Sequence, residues 1–302
     1  MEYFAADLGG TAVKYGIVSE SGEIQDKGSF PTPSCMEDLI RELKLRTQGC
    51  GIDCIAVSAP GNVDCAAGVV GGFSAVPWFH HQPIREIFDQ ELGMKAEIEN
   101  DANCASLAEL WLGAAKDVQD CCFVIFGTGI GGTVVHNREI MRGFHNIAGE
   151  FGLLFSDFNT EDGKYLVWSR YSTVHTVFLA EDELNLPRGS LSGKDVFDPA
   201  RTEPVFQKIR TRFCRAAAAG CLNLQAVCDP EIILIGGGIS EREELLPEIE
   251  AQMKEMTLPW HPNVVLPRLG KCRFRNDANL IGAVVHFRKM RENFHEIGRA
   301  HV

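Results

Sequence analysis

No apolar run in the 302 residues approaches the roughly 20 needed to span a bilayer, and nothing after Met1 resembles a signal peptide. Strand-like sequence begins at once. A membrane protein is therefore not expected, and a cytoplasmic location is. Positive charge is also short: 29 Lys and Arg stand against 41 Asp and Glu, a formal net charge of −12. An acidic chain repels phosphate backbones and anionic lipid heads, which disfavours nucleic-acid partners. It still permits one small anion in a local nest of backbone N–H groups. The eleven cysteines lack any C-x-x-C pair and are odd in number, which leaves disulfides or a four-cysteine metal site as the alternative reading. They read as reduced thiols buried as small apolar groups.

What is present is an ordinary globular composition, 45% hydrophobic and 23% charged, long enough for two domains. The chain opens strand, glycine turn, strand, in "YFAADLGGTAVKYGIV", and "GEIQDKGSFPT" continues the meander. About one domain length later the pattern restarts in "CCFVIFGTGIGGTVV". Helices are expected at "MEDLIRELKLRTQG", with Leu39, Ile40 and Leu43 on one side, and at "QPIREIFDQELG" and "DANCASLAELWLGAA". Later helices fall at "EPVFQKIRTRFCRAAAAGCLNLQAVC", "SEREELLPEIEAQM" and "NLIGAVVHFRKM". Ser240 and Glu243 have capping-box spacing, and "FSDFNTEDGKYL" reads as a loop. A boundary near Gly113 to Asp117 divides an N-terminal α/β domain, 1–115, from a C-terminal one, 116–289. A terminal helix at about 290–302 is expected to return to the first domain.

Five constellations carry possible chemistry. In "DLGGT", Gly9 and Gly10 permit positive φ and close backbone approach to an anion; Thr11 adds a hydroxyl and Lys14 a cation. Asp7, at the strand end, suits a metal-bound water. In "GTGIGG", Gly127, Thr128, Gly129, Gly131 and Gly132 repeat the pattern. Two such turns supply donors to both flanks of a phosphate chain, a reason for building the turn twice. In "LIGGGIS", Gly236, Gly237 and Gly238 offer bare backbone to a flat group. In "IENDANCASLAE", Asn100 and Asp101 stand where a strand meets a helix. Either serves as an N-cap, and Asp101 there is also placed to take a proton from an attacking hydroxyl. In "GFHNIAGEFG", Glu150 is a carboxylate in apolar surroundings, suited to sugar hydroxyls or simply to the surface. His145 reads as an ordinary loop or core histidine.

Taken in order, "DLGGTAVKYGIV", "APGNVD", "ENDANCASLAE", "GTGIGGTVV", the 143–152 segment and "IILIGGGIS" resemble the ROK family of sugar kinases, within the actin-like ATPase superfamily. The resemblance runs from Tyr3 to about Phe287. It implies two RNase H-like α/β domains with an interdomain cleft, ATP with Mg²⁺, a small-molecule sugar, and a homodimer. It implies Asp101 as the base acting on a sugar 6-hydroxyl, with Asn100, Glu150, Gly61 and Ser74 at the sugar. Asp7 would organise Mg²⁺ through water. Gly9, Gly10, Thr11 and Lys14 match the first phosphate segment, Thr128, Gly129 and Gly131 the second, and Gly236 to Gly238 the adenosine segment.

The chain also departs from that pattern. Leu153 stands where most of the family has a His, and no Cys occurs from Leu153 to Thr173. A further family Glu is replaced by Trp168 or Ser169. The family's zinc loop is thus missing, no zinc site is expected, and the 153–172 segment must fold by packing. The zinc-less branch with "GGFSAVPWF"-like and "ENDANCA" segments resembles β-glucoside kinases and glucokinases. Trp78 offers a face to a pyranose or packs in the core. An N-acetylmannosamine kinase and a non-catalytic sugar-binding or regulatory protein are the alternatives. A repressor of the family would need a helix-turn-helix ahead of Tyr3.

Overall fold

The computed structural model describes residues 1–72, 74–157, 166–274 and 277–299. The chain divides into two compact units. The first comprises Met1–Lys116, Gly143–Ile147 and Asn276–Val302; the second comprises Asp117–Arg142 and Ala148–Arg275.

In the first unit, β1 (Glu2–Leu8), β2 (Ala12–Ser19) and β3 (Ile24–Pro31) form the expected meander. Then come α1 (Met36–Thr47), β4 (Cys54–Ala59), a small hairpin of β5 (Asn62–Asp64) and β6 (Val69–Gly71), α2 (Ile84–Leu92), β7 (Lys95–Asn100) and α3 (Asp101–Leu112). The sheet order is β3-β2-β1-β4-β7, with β4 parallel to both β1 and β7. β1 is buried on both faces, which is why it reads as a continuous apolar run. Phe4 and Leu8 face a core with Leu39, Leu43, Phe79 and Phe88. Tyr3 and Ala5 face another with Cys104, Val284 and Phe287.

The second unit repeats the frame. β8 (Cys121–Phe126), β9 (Ile130–His136) and β10 (Glu139–Ile140) form the hairpin edge. A two-stranded pair, β11 (Phe155–Asp157) and β12 (Leu166–Val167), precedes α4 (Thr173–Glu183), α5 (Gly193–Phe197), α6 (Pro204–Cys228), β13 (Ile232–Gly236), α7 (Leu245–Thr257) and β14 (Leu269–Lys271). The order β10-β9-β8-β13-β14 matches the first sheet strand for strand. Along α6, Phe206, Ile209, Phe213, Ala217, Gly220 and Leu224 fall at helical spacing and are buried.

Three expectations are corrected. The return to the first unit begins with α8 (Ala278–Arg299), not at about 290. The apolar stretch from Leu280 to Phe287 packs there, with the Phe287 ring 5.6 Å from Tyr3 and edge-on to it. The capping box at Ser240 does not form. Ser240 lies in a 3-10 turn, its Oγ donates to Gly237 O at 2.8 Å, and α7 starts at Leu245 without a side-chain cap. Part of the expected loop is strand, at Phe155–Asp157; its centre, 158–165, lies outside the described residues.

Trp168 shows how the segment after Leu153 is held. Its ring is 2% exposed and packs edge-on to Phe126 at 6.0 Å. A Cβ at Gly220 would overlap that ring, so α6 needs glycine there. Seven of the eleven cysteines are buried. Burial pushes the Cys54 thiol up to about 11 and the Cys121 and Cys221 thiols up to about 12, so they stay protonated at neutral pH. No helix among the described residues is long and apolar enough to cross a membrane.

Candidate active site

The carboxylate end of the first unit is built where β1, β4 and β7 finish. Asp7 pairs with Lys14 across the antiparallel hairpin and with Ser58 on the parallel side. Ser58 Oγ donates to Asp7 Oδ1 at 2.7 Å, and Asn279 Nδ2 donates to the same oxygen at 2.9 Å. Oδ2 is left facing Lys14 Nζ at 4.0 Å. One carboxylate oxygen is thus fixed by neutral donors and the other is turned toward a cation. That arrangement suits a hydrated Mg²⁺, which keeps most of its waters and takes one or two carboxylates.

The turn itself corrects one reason given for its glycines. Neither Gly9 nor Gly10 has positive φ. They are needed for space: a Cβ at Gly9 would stand 2.8 Å from Ala12 O, and one at Gly10 would stand 2.7 Å from Ala75 Cβ. Gly9 N–H donates to Ala12 O at 3.1 Å, and Thr32 Oγ1 ties the turn to β3 by donating to Gly9 O at 2.6 Å. Thr11 is exposed beside it.

At the next junction Asn100 is the N-cap of α3 and Asp101 its first residue. Asn100 Oδ1 accepts from Asn103 N at 3.1 Å, while its Nδ2 donates to Gly61 O at 3.0 Å. Asn100 is therefore a fastener first, with one lone pair and one N–H still available to a ligand. Asp101 is half-buried; its Oδ1 accepts from Ala102 N at 2.8 Å. The helix N-terminus favours its ionised form. Gly61 has φ of +111°, and Ser74 Oγ lies 2.6 Å from His80 Nε2. A Cβ on Gly61 would lie 3.6 Å from that same nitrogen. Gly61, Ser74, His80 and Asn100 thus form one polar cluster beside Asp101. Trp78 is partly buried against the first core and lines a groove of about 1050 Å³ between α1 and α2 with Ile40, Lys44 and Ile87.

The second unit holds the other predicted residues. Gly127, Thr128 and Gly129 form an exposed three-residue turn, closed by Gly127 N–H donating to Gly129 O at 3.0 Å. Ser172, wholly buried, anchors it: its Oγ donates to Thr128 O at 2.8 Å and caps α4 by accepting from His175 N. A Cβ on Gly127 would meet nothing within 4 Å. Gly131 pairs with Ile125 within the sheet. Gly132 is there for packing rather than for a ligand, since a Cβ would overlap the Phe151 ring. The triple glycine divides the same way. Gly236 is crowded by Ile125 and Cys272, Gly237 has φ of +86° against the Phe126 carbonyl, and Gly238 is open. Glu150 follows Gly149, whose φ is +96° and which lies against β9 at Gly132 O. Burial raises the Glu150 carboxyl above its ordinary value. His145 is exposed in its loop.

Sequence reasoning missed Ser58, His80, Ser172 and Asn279. None lies in a glycine motif. His80 alone had a signal, directly following the "GGFSAVPWF" segment.

Comparison with known proteins agrees with this layout. The ROK family model matches residues 3–290. A β-glucoside kinase of Listeria monocytogenes is 34% identical, over 98% of this chain and 100% of its own. A ROK family protein of Streptococcus pneumoniae TIGR4, solved with sucrose, is 32% identical with TM-score 0.89, covering 97% of this chain and 100% of its own. A candidate N-acetylmannosamine kinase of Listeria monocytogenes is also 32% identical, with TM-score 0.86, covering 96% and 100%. A ROK glucokinase of Streptomyces griseus, solved with glucose and AMPPNP, is 26% identical with TM-score 0.79, covering 94% and 98%. The two repeated α/β units are those of the actin-like ATPase fold, and the chain belongs to the ROK family, among its sugar kinases.

Proposed function

We propose that this chain transfers the terminal phosphoryl group of ATP to the 6-hydroxyl of glucose or of a β-glucoside, with Asp101 as general base. The observation that carries this reading is the β7–α3 junction. Asp101 heads a helix, its neighbour Asn100 clasps Gly61, and Gly61 adjoins the Ser74–His80 pair. An ionised carboxylate beside a cluster of hydroxyl-binding groups is what deprotonation of a sugar alcohol needs. The β-glucoside kinase relative and the glucose-bound and sucrose-bound structures support the sugar class.

Phosphoryl transfer asks for positioning and charge neutralisation more than for covalent chemistry. In the first unit, Asp7 Oδ2 and Lys14 would hold the hydrated Mg²⁺ and a phosphate oxygen, the ion supplying charge neutralisation when bound. Gly9, Gly10 and Thr11 would offer backbone and hydroxyl donors. In the second unit, the bare backbone at Gly127, Thr128, Gly129 and Gly238 suits the nucleotide, a role supported by the AMPPNP-bound relative. Glu150, half-buried with its carboxyl raised above the ordinary value by burial, suits a hydrogen bond with a sugar hydroxyl.

N-acetylmannosamine is the second reading, favoured by the 32%-identical candidate kinase of that sugar. The test is ADP release from MgATP against glucose, cellobiose, gentiobiose, mannose, fructose, N-acetylglucosamine and N-acetylmannosamine. Turnover on glucose or a β-glucoside is expected. Turnover on N-acetylmannosamine alone would keep the chemistry and overturn the sugar. Asp101→Asn is expected to bind sugar and nucleotide while kcat falls by ~10²–10⁴ or more. A near wild-type kcat in that variant would overturn the base assignment.

A further inference from the structure

α8 reaches the catalytic strand ends along one face. Asn279, Gly282 and His286 fall at i, i+3 and i+7, so they line up along the helix. Gly282 brings the helix backbone against α3, since a Cβ there would overlap the Cys104 carbonyl. Toward one end of this face, Asn279 Nδ2 donates to Asp7 Oδ1 at 2.9 Å. Two turns on, His286 Nδ1 lies 3.3 Å from Glu99 Oε2.

Glu99 immediately precedes the Asn100–Asp101 pair and is wholly buried. Its Oε1 accepts from Asn100 N at 2.8 Å and from Asn103 Nδ2 at 3.1 Å. A buried carboxylate is destabilising unless its oxygens are engaged. Here one oxygen holds the first turn of α3 and the other meets the imidazole of α8. The β7–α3 junction is therefore anchored from both sides. Asp7 is held in the same manner: Ser58 and Asn279 occupy Oδ1, and that sets where Oδ2 points.

We propose that Asn279 and His286 are positioning residues for phosphoryl transfer: one face of the last helix fixes both the Asp7 carboxylate and the junction that carries Asp101. This rests on the reading of Asp7 and Asp101 above. Neither residue needs to touch the sugar or the nucleotide. Both act through the carboxylates they orient.

The experiment compares Asn279→Leu, His286→Phe and His286→Asn in the full chain. Arg288→Ala is the control, because Arg288 anchors α8 elsewhere, through Glu20 O at 3.2 Å and over the Trp111 ring. For each variant, thermal unfolding, sugar and nucleotide Kd, kcat and KM are measured, together with the Mg²⁺ concentration for half-maximal rate. Asn279→Leu and His286→Phe are expected to lower kcat ~10- to 100-fold with Kd values within about twofold, the scale of a small misplacement of reacting groups. Asn279→Leu is expected to raise the Mg²⁺ requirement, and His286→Asn, which keeps an N–H near Nδ1, to recover most of the rate. Arg288→Ala is expected to unfold earlier at unchanged kcat. Unchanged kcat in folded Asn279→Leu and His286→Phe would overturn the proposal, as would losses that merely follow unfolding temperature. If His286→Phe does not fold, Asn279→Leu and His286→Asn decide the matter on the same readouts. Cys65, Glu99 and His286 also bring ligand atoms within 4.8 Å of one another. About one transition metal per purified chain, lost in both Cys65→Ser and His286→Asn, would make the cluster a metal site and overturn the proposal. Full activity in Asp101→Asn would instead sink the reading beneath it.

Discussion

Leu8 and Phe126 each close a hairpin, paired with Val13 and Ile130, on strands flanked by a parallel neighbour on the other side. One position earlier the two hairpins diverge. In the first, Asp7 lies between Lys14 and Ser58. In the second, Ile125 lies between Gly131 and Gly236. The same three backbone positions carry a carboxylate, an ammonium and a hydroxyl in one unit, and an isoleucine with two glycines in the other. Each turn is also tied down by a hydroxyl, Thr32 on Gly9 O and Ser172 on Thr128 O. The repeat thus supplies two turns of similar build, while the side chains make one a charged site and leave the other as bare backbone. A backbone frame can be duplicated without duplicating its chemistry.

The largest expected effect breaks the charged side of this comparison. Asp7→Asn keeps an acceptor for Ser58 and Asn279 but removes the charge opposite Lys14. It is expected to lower kcat ~10²-fold or more, as for other lost electrostatic groups, and to raise the Mg²⁺ requirement. Full turnover in steady-state assays would deprive the Asp7–Ile125 difference of catalytic meaning. On the bare side, Gly237 and Gly238 separate packing from binding. Gly237→Ala forces a side chain into φ of +86° against the Phe126 carbonyl. Backbone strain alone is expected to destabilise by ~1–3 kcal/mol in chemical denaturation. Gly238→Ala meets no neighbour within 4 Å and is expected to leave stability within about 0.5 kcal/mol while raising the nucleotide KM. Equal stability losses would erase the distinction.

The smallest effect concerns Glu150, a half-buried carboxylate of the second unit. Its folded-state pKa is raised by burial, so the native state holds the proton more tightly than the unfolded chain. Wild-type stability therefore falls as pH rises from the ordinary glutamate value of 4.5 through the raised native value, and then levels. Glu150→Gln lacks that slope, and the stability difference between variant and wild type should grow in the variant's favour over the same window. Parallel pH profiles in urea titrations would remove the inference.

Much of the fold was legible because burial leaves a local signature. β1, β4, β8 and β13 are buried on both faces and read as apolar runs, and α1 and α6 show helical spacing. The boundary errors have local causes too. Ser240 offered a capping pattern, yet the positive φ at Gly237 turns the chain into a 3-10 turn that uses Ser240 Oγ for Gly237 O. The end of the second unit was set late because the apolar run in α8 suits either unit equally well until its partners are known. At the candidate site, Asp7, Asn100, Asp101 and the glycine turns were legible, since each stands at a strand end marked by sequence neighbours. Which glycines serve packing was not: Gly132 and Gly220 are required by the Phe151 and Trp168 rings, which come from elsewhere in the chain.

By itself, then, the sequence determined the repeated α/β frame, the two glycine turns and the family, because strands, turns and strand-end carboxylates are written in consecutive residues. Only the tertiary structure decided who holds those carboxylates and turns. Ser58 is 51 residues from Asp7, Ser172 is 44 from Thr128, and Asn279 is 272 from Asp7. A lone polar side chain in an apolar strand or helix has no local partner to announce it. Its purpose appears only when folding brings it to a buried group whose charge or lone pair must be satisfied.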